Sequence, residues 1–235
     1  CQIDTEYCHS LSRYNRVLVQ RNALLKQLRE GTGGRAELPY WDEQLADLGA
    51  LVLSRRLVAC EALGNYARRL QMRLTGGREA LEVRYQCAGI DAPTEADEVA
   101  LKQSLLQALR RGLNEDRMRG ITQTGPHRDD VRFLVNGHDA TIYGSRGQQR
   151  TVALALKLAE VELMTARVGE PPVLLLDDVV SELDQLRSDC LIEALDRAEQ
   201  TLITTTDLHH LPVPFCARAV LWSVQAGVIT PLPTD

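Results

Sequence analysis

The stretch from Ser145 to Asp184 constrains this chain more than any other, because it sets two anion-handling motifs in a fixed order around one helix. Ser145-Arg146-Gly147-Gln148-Gln149-Arg150 opens an apolar helix expected over about 147–168, and Gly169 with Pro171-Pro172 ends it. Pro172-Val173-Leu174-Leu175-Leu176-Asp177-Asp178 then reads as a buried strand closing on two carboxylates, with Ser181-Glu182-Leu183-Asp184 soon after. A helix N-terminus presents unpaired backbone N–H groups and a partial positive charge, so it attracts anions. Gly147 lets a backbone come close there, and Ser145 and Gln148 add side-chain contacts; an ordinary serine N-cap is the plainer alternative.

Asp177 stands at the carboxyl end of its strand, where parallel sheets bind ligands, and offers the hard oxygen that Mg2+ takes. Asp178 beside it is placed to orient an attacking water. The alternative for both is a buried strand followed by an acidic helix cap. Thr204-Thr205-Thr206 ends the next apolar run, Thr201 to Thr205. Thr205 and Thr206 are therefore candidates for a polar switch facing a γ-phosphate.

Elsewhere the pattern is helical. Residues 5–30 and about 39–74 repeat apolar positions at three and four, with glycines at 31, 33 and 34 between them, an arrangement that favours an antiparallel pair. Leu81 to Tyr85 alternates like a strand. Thr94 to about Met118 returns to helix, with Thr94 as N-cap and Asp97 as its capping-box partner. Val131–Val135, Asn136-Gly137 and Asp139–Tyr143 read as a hairpin, because Asn-Gly supplies the positive φ of a type I′ turn. Leu186–Ala198 is a further helix. Strand, helix and strand in alternation after residue 120 argue for an α/β lobe with parallel pairing.

Charge separates the two parts: residues 1–120 carry 18 Lys/Arg against 16 Asp/Glu, and residues 121–235 carry 9 against 16. The first part is the better nucleic-acid surface. No apolar run approaches the roughly 18 residues of a membrane helix. Six cysteines without zinc spacing are expected to be scattered free thiols of a reducing cytoplasm. A chain that opens at Cys1 without Met or signal pattern reads as a fragment or processed piece.

Taken together, the motifs resemble the C-terminal half of an ABC-type ATPase head. The likeness sharpens to the RecF family of bacterial recombination mediators on Gly125-Pro126-His127-Arg128-Asp129-Asp130, Ser145 to Thr151, Leu174 to Asp184, and Arg16 to Lys26 of the first helix. Related heads carry Leu-Ser-Gly-Gly-Gln/Glu where this chain has Gly144-Ser145-Arg146-Gly147-Gln148, and Asp-Glu where it has Asp177-Asp178. Both departures agree with RecF and argue against transporter subunits and chromosome-condensing ATPases. A Gly-x-x-x-x-Gly-Lys-Ser/Thr loop is absent, so the chain resembles RecF truncated at its N-terminus, and by itself it is expected to be inactive as an ATPase.

The resemblance implies a fold of class α/β: the C-terminal lobe of an ABC/SMC-type ATPase head over 121–235, with an inserted helical arm over 1–120. It implies a cytoplasmic DNA replication, repair and SOS-response protein, an ATP- and Mg2+-dependent homodimer that binds DNA at gaps and junctions and, with RecR, aids RecA loading. Ser145, Gly147 and Gln148 would then meet ATP held by the partner subunit. Asp177 would hold Mg2+ and Asp178 the water. Ser181, Glu182 and Asp184 would form the D-loop. A competing expectation is a non-catalytic module in which residues 5–74 engage RecR or DNA.

Overall fold

The computed structural model describes residues 4–32, 34–91, 96–180, 183–196 and 198–232. Three long helices come first: α1 (Thr5–Glu30), α2 (Leu38–Leu74) and, after strand β1 (Leu81–Gln86), α3 (Glu98–Arg119). Strands β2 (Asp130–Val135) and β3 (His138–Asp139) and a one-turn helix α4 (Ala140–Tyr143) lead to α5 (Arg146–Val168). There follow β4 (Leu174–Asp177), α6 (Gln185–Leu195), β5 (Thr201–Thr204), α7 (Val213–Cys216) and the pair β6 (Trp222–Gln225) and β7 (Val228–Pro231). Among the described residues no helix is long and apolar enough to cross a membrane.

The helix ends obey simple chemistry. Asp4 caps α1 by accepting from the Tyr7 amide, and Gly31 takes the left-handed conformation at its other end, with φ 75°. At α3 the cap is Asp97, which accepts from the amides of Val99 and Ala100. Thr94, expected to cap this helix, lies outside the described residues, and Asp97 takes the role itself rather than the third-position role. The carboxylate gives each of the two amides an oxygen of its own.

The expected hairpin is only half formed. Asn136 and Gly137 do take positive φ, 49° and 84°, but β3 is two residues long. Asp139 ends it by capping α4 through the Thr141 amide. The long partner of β2 is instead β1, antiparallel from Leu81↔Val135 to Gln86↔Asp130. This sheet joins chain from either side of residue 120. β4 and β5 pair in parallel, Leu174↔Thr201 to Asp177↔Thr204, as alternation of strand and helix requires.

Two cores result. In the lobe, Ala67, Leu70 and Leu74 of α2 meet Leu81, Val152, Ala155, Ala159, Leu174 and Leu191. In the arm, Leu45, Leu48, Val52 and Leu53 of α2 meet Tyr14 and the Leu101, Leu105 and Leu109 stripe of α3. The strand at Leu174 is buried on one face alone: Leu175 is 74% and Leu202 52% exposed. The expectation of a buried strand therefore holds for Leu174 only, because a two-stranded sheet with helices packed on one side leaves its alternate side chains outward. The β6–β7 hairpin, turning at Ala226-Gly227, was not anticipated; its φ values are 50° and 81°.

A charge holds the arm together. Arg21 is fully buried, its Nε 2.7 Å from Asp42 and its Nη1 2.7 Å from Asp116. Nη1 also donates to Thr122 Oγ1, whose hydroxyl donates to Asn22. Removing one member of such a buried set leaves uncompensated carboxylates, a loss of about 3–5 kcal/mol, whereas an exposed pair is worth roughly 0.2–1 kcal/mol. Arg21→Met is expected to lose stability on the first scale, and Arg55→Met, which breaks the exposed pair with Glu6, on the second. Urea unfolding checks this; equal midpoint shifts would contradict the account.

Candidate functional site

Helix α5 begins in a complete capping box. Ser145 has φ −62° and ψ 158°, its Oγ accepts from the Gln148 amide at 3.2 Å, and Gln148 Oε1 accepts from the Ser145 amide at 2.9 Å. The Gln148 side-chain nitrogen donates to Glu79 at 3.1 Å. Gly144 just ahead is demanded by the fold, since a Cβ there would lie 2.3 Å from the Ala140 carbonyl oxygen. Gly147 differs: a Cβ would meet nothing nearer than Ser145 Oγ at 4.0 Å. Nothing in the described chain requires a glycine at 147, so any requirement comes from what approaches from outside.

The acidic edge is built by the parallel register. Asp177 is the last residue of β4 and pairs with Thr204, whose hydroxyl donates to Asp177 Oδ1 at 2.5 Å. Asp178 follows with φ 49°, a left-handed conformation that Asp and Asn adopt more readily than bulkier residues. Its amide donates to the carbonyl and hydroxyl oxygens of Thr204, both at 3.1 Å. Thr204 is thus the threonine at the carboxylates. Thr205 instead bonds within its own turn, to the carbonyl and amide of Asp207, and Thr206 is exposed. Thr204 stood in the same Thr-Thr-Thr run, but only the strand register distinguishes it.

Of the expected D-loop residues, Ser181 and Glu182 lie outside the described residues. Asp184 caps α6 through the Arg187 amide at 3.0 Å and forms an ion pair with the Arg187 guanidinium. Arg187 Nε donates to Thr151 Oγ1 at 2.9 Å, and that hydroxyl donates to the Gly147 carbonyl at 2.7 Å. Asp184 is thereby tied to the first turn of α5 through buried Thr151, a connection no sequence pattern announced. Among the described residues no three His, Cys, Asp or Glu side chains converge on a metal position. The Asp177 carboxylate is a hard oxygen donor of the kind that Mg2+ takes.

The turn Gly125–Asp130 is an arm brace. His127 Nε2 lies 3.1 Å from the Thr122 carbonyl, which can only accept, so Nε2 carries the proton and Nδ1 accepts from the Tyr14 hydroxyl at 2.7 Å. Asp129 accepts from Tyr85 Oη and the Ala88 amide, both at 2.7 Å. Arg56 donates to the Tyr7 hydroxyl and the Pro126 carbonyl. Burial, followed by the Asp129 charge, raises the Tyr14 pKa, and burial lowers that of His127 below its ordinary 6.5. Arg128 is exposed, with Nε 3.4 Å from the Thr122 carbonyl.

A cleft of about 870 Å3 lies between α2, the β1–β2 sheet and α5, lined in part by Arg56, Tyr85, Asp129 and Arg167, and includes none of Ser145, Gly147, Gln148, Asp177 or Asp178. Burial raises the pKa of the Cys60, Cys87 and Cys190 thiols, to about 11 for Cys87, which leaves them poor nucleophiles at neutral pH. Cys8 is disulfide-bonded, against the expectation of free thiols throughout.

A parallel strand edge bearing Asp177 and Asp178, a glycine-bearing helix start and an inserted helical arm define part of an ABC-type ATPase head. No family model matches the chain. It is 45% identical over 231 residues to the DNA replication and repair protein RecF of Symbiobacterium thermophilum, covering 97% of this chain and 60% of that protein. With the RecF of Herpetosiphon aurantiacus the identity is 45% over 235 residues, covering 98% of this chain and 58% of that protein. Two solved structures of the recombination mediator protein RecF in the RecFOR pathway, RecF-ATPrS and RecF-ATP, match with TM-scores of 0.85 and 0.84 at 34% and 33% identity. Each match covers 98% of this chain and 60% of the solved one. The chain spans about 60% of the length of these relatives. Over that span it is similar in sequence and in fold to the RecF proteins.

The His127 geometry carries a pH dependence. A histidine whose folded pKa is lowered contributes stability that is complete above the unfolded value near 6.5 and is lost as pH falls below it. Urea midpoints are expected to fall from about pH 7.5 to about pH 5.5 and to fall less in His127→Gln. Parallel profiles for the two proteins would contradict the neutral, hydrogen-bonded His127.

Proposed function

We propose that this chain supplies the signature-bearing lobe and arm of a RecF-like, ATP-dependent DNA replication and repair protein. The observation that carries the reading is the start of α5, where a capped, positively polarised helix end meets a glycine that nothing among the described residues demands. The relatives' names and the two nucleotide-bearing RecF structures support it. In this reading residues 121–235 act as the lobe and 1–120 as the arm, with α2 beyond Ala67 and strand β1 built into the lobe core. The protein works in the cytoplasm as an ATP-induced homodimer on single-strand/double-strand DNA junctions, and with RecR it aids RecA loading.

Each residue then has a task. Ser145 and Gly147 receive the terminal phosphate of ATP bound to the partner subunit, and Gln148 keeps the receiving turn in shape. Asp177 holds Mg2+, which neutralises phosphate charge when bound. Asp178 orients the attacking water, Thr204 fixes the Asp177 carboxylate, and Ser181, Glu182 and Asp184 pass between subunits. Thr205 or Thr206 senses the γ-phosphate. The bracing of Arg21 and His127 favours a second reading, in which residues 5–74 form a rigid, non-catalytic platform for RecR or DNA.

Asp178→Asn separates the two. Asn accepts the positive φ of Asp178 as readily as Asp does, so the substitution removes the charge and spares the backbone. In the full-length protein it is expected to suppress ATP hydrolysis at least tenfold, about 1.4 kcal/mol in the barrier, with ATP affinity retained. Hydrolysis at the wild-type rate would end the catalytic assignment and leave the platform.

A further inference from the structure

The start of α5 is held by a residue outside every motif. Glu79, in the loop between α2 and β1, accepts from Gln148 Nε2 at 3.1 Å with one carboxylate oxygen and from Gln71 Nε2 at 2.9 Å with the other. Its amide donates to Thr75 Oγ1, and that hydroxyl donates to the Gln71 carbonyl. Gln71 is fully buried, and its Oε1 has no hydrogen-bond partner among the described residues. Leaving a buried acceptor unsatisfied is unfavourable. The amide is nevertheless turned so that its nitrogen meets Glu79, and that orientation serves the carboxylate.

We propose that Glu79 is a positioning residue for the phosphate-receiving turn, acting through Gln148, and that it links this turn to the end of α2. The proposal rests on the reading of Ser145, Gly147 and Gln148 as the part that meets the partner's ATP. Both polar ends of the Gln148 side chain are engaged: Oε1 accepts from the Ser145 amide and Nε2 donates one of its two N–H groups to Glu79. Gln148 therefore shapes the turn, and the Ser145 hydroxyl and the amides of Arg146 and Gly147 are the other groups there to receive phosphate. Without Glu79, the Gln148 amide group is free to rotate, the box opens, and Ser145 loses its orientation. Because Gln71 lies on α2, whose other half packs in the arm core, a shift of α2 would be felt at the receiving turn first.

The test uses the full-length protein and measures ATP-induced dimerisation by sedimentation and monomer ATP affinity by titration. Glu79→Ala is expected to weaken dimerisation roughly tenfold or more, the scale on which a small misplacement of a binding group is felt, with monomer affinity unchanged. The Glu79→Ala/Gln148→Ala double variant should dimerise no worse than Gln148→Ala alone, because both changes break one chain of contacts. Glu79→Gln, which keeps one acceptor oxygen for Gln148, should restore most of the dimerisation and covers the case of an Ala variant that fails to fold. Ser145→Arg is the control for the underlying reading. If Ser145→Arg blocks the dimer while Glu79→Ala dimerises normally, or if the Glu79 and Gln148 effects add in full, the role of Glu79 is overturned. If Ser145→Arg also dimerises normally, the phosphate-receiving reading itself falls.

Discussion

Helix α2 is the constraint on which the rest depends. Its 37 residues make a rod of about 55 Å at the usual rise of an α-helix, too long for either core to bury alone. The first half gives Leu45, Leu48, Val52 and Leu53 to the arm, and the last turns give Ala67, Leu70 and Leu74 to the lobe. A single helix through both cores means that the arm cannot turn without moving the wall against which α5 packs. The buried Arg21 set and the His127 brace stiffen the arm end of this rod. Gln71, Thr75 and Glu79 tie its other end to the start of α5.

The site is assembled from caps and strand edges rather than from a cavity. The capped turn at Ser145 gathers amides and a hydroxyl on an open surface, and the carboxylates of Asp177 and Asp178 stand at the end of a two-stranded edge. Neither half encloses a ligand. Such open half-sites suit a ligand clamped between surfaces, with each side supplying one kind of charge. The sizeable cleft between α2, β1–β2 and α5 sits elsewhere and includes none of these groups, so concavity alone points away from the proposed site.

Much of this was legible in the chain. The bounds of α1, α2 and α5 came within a residue or so because apolar spacing, glycine stops and Ser145 all agreed. The β4–β5 pairing followed from alternation. What stayed hidden was decided by partners far apart in sequence. β3 stops after two residues because Asp139 caps α4, and β2 finds its six-pair partner, β1, on its other edge. Thr204, not Thr205 or Thr206, meets Asp177 because register chooses one of three identical residues. Glu79 and Arg187 belong to no pattern, since each works through a contact tens of residues away, Glu79 with Gln148 and Arg187 with Thr151. His127 stood in the sequence only within the Gly125–Asp130 stretch that carries the resemblance, and its role becomes visible with Tyr14 and Thr122 beside it.

The central claim is that the first amides of α5 receive phosphate. Hydrogen–deuterium exchange at Arg146 and Gly147 in the full-length protein addresses it directly, because the first amides of a helix have no intrahelical partners and exchange readily unless a ligand covers them, whereas the Gln148 amide is already bonded to Ser145 Oγ. Addition of ATP with Mg2+ is expected to slow exchange at 146 and 147 at the protein concentrations where the dimer forms, and to leave the middle of α5 unchanged. Exchange at those two amides that is the same with and without nucleotide, in a protein shown to dimerise, would contradict the account.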